Sequence, residues 1–215
     1  MNMRANTLVP TSPQTDVTGL YPLDEFYSRR EGSANIIEME STSIESAVKQ
    51  AASIAFAALL WAPIEGSAMP EPYRSLLVHQ TDMTSTLENY YKEKLRVEIV
   101  SRHTKGQEYF REVVLRLDKS SRRVEFGAIK IMLDLFPFEA RQEILHERQP
   151  LGRILTEYGV AFSSQPRAFL RLAADDFINR TLDLKGPQFL YGRRNALVDP
   201  WNQPLAEIVE ILPPA

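Results

Sequence analysis

An α+β fold built on a single antiparallel β-sheet, with helices packed on it, is the class this sequence predicts. Three observations point there. Helix-like text comes first; three strand-like runs then follow with only short turns between them; two more close the chain around one turn sequence. Length agrees: 215 residues, 44% of them hydrophobic, hold one large domain, or a domain with a long arm, and bury a real core.

The elements read as follows, in order. The first fifteen residues, MNMRANTLVPTSPQT, are polar with two prolines and read as a loose arm. Residues 1–40 are set apart as an N-terminal arm, partly disordered, and 41–215 as the functional domain. No apolar stretch follows Arg4, so no signal peptide is expected. The longest apolar stretch, Ala51 to Pro63, is too short to span a bilayer. Its alanines predict a buried helix starting near Ser43 and stopped by Pro63. A second helix is expected over Thr81–Lys94, capped by Thr81 or Asp82. Leu95–Ser101, Glu108–Leu117 and Val124–Leu133 read as strands, with Gly106 in the first turn. Pro137–Arg148 and Leu151–Tyr158 read as helices that each start at a proline. Ala168–Ala173 and Phe177–Leu184 fit either class. Phe189–Val198 and Leu205–Leu212 read as strands joined by DPWNQP.

Composition removes whole classes of function. The net charge of −3 and a pI near 5.7 argue against a nucleic-acid binder. Only five Lys or Arg fall in residues 1–80, against twenty in the rest, so no basic recognition helix is expected. With no cysteine there are no disulfides and no Cys nucleophile. The nine glycines have no spacing that makes a dinucleotide fingerprint, a Walker-type loop or a GxSxG elbow. His79, His103 and His146 share no ligand spacing and read as surface or half-buried. Ser120-Ser121 and Ser163-Ser164 have no base motif nearby.

Charged residues inside the strand-like runs are the informative ones. In Glu108–Leu117, Arg111 shares a face with Val113, Leu115 and Leu117 and so points inward. A buried guanidinium needs a carboxylate. Either an internal salt bridge supplies it, or the strand is at an edge and the long stem carries the charge to water, or a ligand supplies the carboxylate, held bidentately. In the last strand Glu210 shares one face with Ala206, Ile208 and Leu212, and Glu207 the other with Leu205, Val209 and Ile211. One of the two acids is enclosed, pairing with Arg111 or facing it across a ligand pocket. Of Arg193 and Arg194, at most one points into such a pocket.

At these residues the sequence resembles the chorismate pyruvate-lyase (4-hydroxybenzoate synthase) family of ubiquinone biosynthesis. Four stretches resemble the family's in order: Asp82-Met83-Thr84; Phe110-Arg111-Glu112-Val113-Val114-Leu115; Pro150-Leu151-Gly152-Arg153-Ile154-Leu155; and Gly192-Arg193-Arg194 with Gln203-Pro204-Leu205 and Val209-Glu210-Ile211. They cover Thr81 to the C-terminus. The resemblance implies a chorismate lyase-like catalytic domain, with helical flaps over a buried ligand pocket. It implies a carbon–oxygen lyase that converts chorismate to 4-hydroxybenzoate and pyruvate, cytoplasmic, a monomer or weak dimer, with no metal, cofactor, nucleic-acid or membrane partner. Arg111 falls on the arginine that binds the ring carboxylate, and Glu210 on the glutamate at the ring hydroxyl. Met83, Leu151 and Gly152 fall on the pocket lining, and Arg193 or Arg194 is assigned to the enolpyruvyl carboxylate. The same fold resembles effector-binding domains of bacterial transcription regulators. A non-catalytic protein that binds a small aromatic acid is therefore the alternative.

Overall fold

The computed structural model describes residues 20–35 and 61–215. They form helix α1 (Leu23–Asn35), strand β1 (Trp61–Ile64), α2 (Tyr73–Leu77), α3 (Met83–Tyr91), β2 (Leu95–Lys105), β3 (Glu108–Leu117) and β4 (Arg123–Met132). Next come α4 (Phe138–His146), α5 (Leu151–Glu157), β5 (Ser163–Ala173), α6 (Asp176–Leu182), β6 (Phe189–Val198) and β7 (Pro204–Leu212). The seven strands make one antiparallel sheet in the order β1-β5-β6-β7-β4-β3-β2. The expected fold class is the observed one.

Local chemistry sets the boundaries. Gly106 turns β2 into β3 at a φ of 64°. The turn between β6 and β7 is held by the Asp199 carboxylate, which accepts from the amides of Trp201 at 2.9 Å and Gln203 at 2.8 Å. Asp82 caps α3 by accepting from the Ser85 amide at 2.8 Å. Asp175 caps α6 in the same way through Ile178.

Both faces of the sheet are covered. On one, α1 and α6 bury Leu23, Phe26, Ile178 and Leu182 against Phe110, Val114, Phe126 and Val209. On the other, α2 and α3 pack Leu76, Leu77 and Leu87 near Leu115, and α4 and α5 pack Ala140, Ile144, Ile154 and Leu155 near Ile131 and Leu197. One sequence expectation meets a different structure. Residues 43–60 of the expected apolar helix lie outside the described residues, but its end, Trp61–Pro63, is strand. There β1 pairs with β5, Trp61 opposite Leu172 and Ile64 opposite Phe169. Pro63 is tolerated because this strand is at the sheet edge. Within the expected arm, Leu23, Phe26 and Tyr27 sit at i, i+3 and i+4, the spacing of a helix with one apolar side.

Candidate functional site

Strand alternation gives the helix-covered sheet face its floor. Arg111, Val113 and Leu115 on β3 sit opposite Ile129, Gly127 and Glu125 on β4. Gly127 and Ile129 in turn sit opposite Glu210 and Ile208 on β7. On β6, Arg193 and Asn195 sit opposite Glu210 and Ile208. The roof is made by the starts of two helices: Asp82, Met83 and Thr84 at α3, and Pro150, Leu151 and Gly152 at α5. Floor and roof enclose a cavity of about 40 Å³. Two glycines keep it tight yet open. A Cβ at Gly152 would lie 2.5 Å from the Asp82 carboxylate, so only glycine lets α5 approach the α3 cap. A Cβ at Gly127 would stand 3.2 Å from Val113 in the middle of the floor.

Arg111 is the most unusual group here. It is 0% exposed, and Nε, Nη1 and Nη2 have no hydrogen-bond partner among the described residues. Burial lowers its pKa, and Tyr109 and Glu147 act in the other direction. Glu147 does not pair with it; that carboxylate accepts from the Tyr109 hydroxyl and from Arg102. A guanidinium does not deprotonate in proteins, so a positive charge stands in the cavity with no counter-ion in contact among the described residues.

The second arginine is differently placed. Arg193 is fully buried, and its Nε donates to Glu210 Oε2. Its Nη1 donates to the carbonyls of Leu77 and His79, each at 3.1 Å, and Nη2 to that of Thr81 at 3.2 Å. These bonds tie the α2–α3 segment to the sheet and so set where the roof begins. Arg194 points to the opposite side of the sheet, where its charge acts on Asp24 of α1. Glu207 pairs with Lys130 at 3.4 Å on that side.

Of the residues singled out in the sequence, Arg111, Glu210, Met83, Leu151 and Gly152 come together on the cavity. Arg193 joins them only through Glu210, and Arg194 does not join them. Glu210 is enclosed, as one of the two acids had to be, but its partner is Arg193 rather than Arg111. Sequence reasoning missed Glu125 and Asn195. Glu125 is 4% exposed with Oε2 unpartnered, and burial and the nearby Glu210 push its pKa well above the ordinary 4.5. Asn195 is hydrogen-bonded to Ser164 at 2.9 Å. The signal for Glu125 was the one that found Arg111: a charged residue on the face shared with Gly127, Ile129 and Ile131.

No protein-family model and no curated protein matches this chain. Solved structures do. The crystal structure of PhnF from Mycobacterium smegmatis aligns with a TM-score of 0.50 at 12% identity, over 63% of this chain and 65% of that one, just under two thirds of its length. The ligand-binding domain of a putative GntR-family transcriptional regulator from Bordetella bronchiseptica aligns at 0.44 and 12%, covering 55% and 85%. A GntR-family regulator from Bacillus cereus aligns at 0.42 and 12%, covering 56% and 92%. At such identities the likeness speaks of the fold alone, an α+β one with a single antiparallel sheet. The expected chorismate lyase is corrected by this comparison: the Bordetella and Bacillus structures are named as transcription-regulator proteins and not as a carbon–oxygen lyase. In the structure Arg193 is engaged by Glu210 and three carbonyls, and Arg194 lies on the far side of the sheet. No helix among the described residues is long and apolar enough to cross a membrane.

Proposed function

We propose that this chain is a non-catalytic binding module for a small aromatic acid, whose carboxylate Arg111 receives. One observation carries the reading: a wholly buried guanidinium whose three nitrogens have no partner, facing a cavity. Such a group is retained against its desolvation where a ligand anion completes it, and a carboxylate does so with two parallel hydrogen bonds. The surroundings suit the rest of a ring acid. Met83, Leu151, Val113 and Ile129 give apolar walls, and Gly152 lets the roof sit close. Glu210 presents an acid whose position is fixed by Arg193. The fold shared with regulator ligand-binding domains supports a binding role.

The test is calorimetric titration of the full chain with 4-hydroxybenzoate. Binding is expected in the wild type, and Arg111→Ala is expected to weaken it by about 100-fold or more, because the carboxylate is then buried unpaired. Micromolar binding retained in Arg111→Ala would overturn the assignment. Incubation with chorismate is expected to release no pyruvate.

A further inference from the structure

Glu125 is the cavity group that the binding role above leaves without a task. It lies on β4 opposite Leu115, while Arg111 lies opposite Ile129, four residues further along the same strand. That separates the two backbone positions by about 13 Å, and both side chains line the cavity, one at each end of the floor. Between them is Gly127, where a side chain would approach Val113 and the Glu125 carboxyl. With no side chain there, the path between the two ends is bounded by Val113 on the neighbouring strand. Glu210, beside this path, has Oε2 engaged by Arg193. Glu125 Oε2 has no partner, although the residue is almost fully buried.

We infer that Glu125 is a second ligand-recognition group, its unpartnered carboxyl oxygen hydrogen-bonding an uncharged polar function at the end of the ligand away from Arg111. This rests on the binding role proposed above and narrows it: the ligand is a monoanion with a hydroxyl or similar neutral group opposite its carboxylate. Two facts fix the neutrality. Glu210 and Asp82 add negative charge near Glu125 and oppose a second anion there, with Arg193 already paired. Burial together with Glu210 shifts the Glu125 carboxyl toward its protonated form, which offers one O–H donor and one carbonyl acceptor, the complement of a hydroxyl. The resemblance in the sequence implies Glu210 for this contact; the unpartnered oxygen of Glu125 adds a second group at that end.

The experiment titrates wild type, Glu125→Gln and Glu125→Leu with benzoate, 3-hydroxybenzoate and 4-hydroxybenzoate. Benzoate reports on the Arg111 end alone. In the wild type the better hydroxybenzoate is expected to bind about tenfold or more tighter than benzoate. Glu125→Gln, which still donates and accepts, is expected to keep that preference to within about threefold. Glu125→Leu is expected to abolish it while leaving benzoate affinity close to the wild type. Infrared difference spectra give a second readout: the protonated-carboxyl band missing from Glu125→Gln is expected to shift with the preferred hydroxybenzoate and not with benzoate. If Glu125→Leu does not fold, the Gln variant and this band decide. Equal binding of all three acids to the wild type, a preference that survives Glu125→Leu, or a carboxyl band indifferent to the hydroxyl overturns the role of Glu125 alone. Failure of the wild type to bind any of them overturns the binding role and this inference with it.

Discussion

Arg111 and Glu125 face one cavity from adjacent strands, and burial acts on them in opposite senses. The guanidinium stays charged because its ordinary pKa is so high; burial and the neighbouring Glu210 raise the pKa of the carboxyl and so favour its protonated form. The consequence for stability has a definite sign. With its folded-state pKa above the ordinary 4.5, Glu125 binds a proton in the native protein that the unfolded chain releases. Its contribution is therefore fully present below pH 4.5 and lost as pH rises through the folded-state value. Glu125→Gln removes that dependence. Urea unfolding at a series of pH values is expected to show variant and wild type alike near pH 4, with the variant gaining on the wild type as pH rises. A difference that is constant with pH would contradict it. Arg111 was legible in the sequence because strand parity put a charge among aliphatic residues. The same parity marked Glu125, whose run also contains Lys130 and so looked ordinary. That Glu210 meets Arg193 and not Arg111 could not be read, because it depends on the register between β6 and β7.

At the scale of elements, the closest joint is between α3 and α5, where Gly152 passes the Asp82 cap. Removing the cap by Asp82→Ala is expected to destabilise by about 1 kcal/mol. Gly152→Ala is expected to destabilise as well, since the new Cβ displaces the capping carboxylate. In the double variant the two losses should fall short of their sum, because the atom that clashes is already gone; a double-mutant cycle in urea measures the coupling. Full additivity would mean that the helices adjust independently. Strands β2 to β4 and the hairpin β6–β7 were legible from period-two alternation and turn residues. Strand β5 was not, because Pro166 and the register shift between Pro166 and Ala168 break its alternation. Strand β1 was masked by the alanine-rich text before it; pairing with β5 overrides that local preference.

The whole molecule is a sheet with a different job on each face. One holds the cavity. The other is closed by α1, where Arg30 donates to both oxygens of the buried Glu112 at 2.7 and 2.9 Å and lies over the Phe177 ring. The sequence disclosed the fold and most of the cavity lining, and it misled on chemistry for a physical reason. Several of the residues that carried the family resemblance hold the architecture together. Gly152 admits the α3 cap, Arg153 donates to Glu88 and to the Leu95 carbonyl, and Arg193 ties down the α2–α3 segment. Residues that hold a scaffold together serve it whatever reaction, if any, it hosts.

The size of the cavity has a kinetic consequence. A void that accepts a benzene ring measures about 150 Å³, and the one here is about 40 Å³. An aromatic acid therefore enters only while the starts of α3 and α5 stand apart. Stopped-flow mixing with 4-hydroxybenzoate is expected to give an observed rate that levels off at high concentration, at the frequency with which those helices part. A rate that climbs linearly throughout would mean the doorway is already open. Residence time would then be set by how seldom the roof lifts as well as by the strength of the grip inside, so a slow-opening roof can retain even a modestly bound acid.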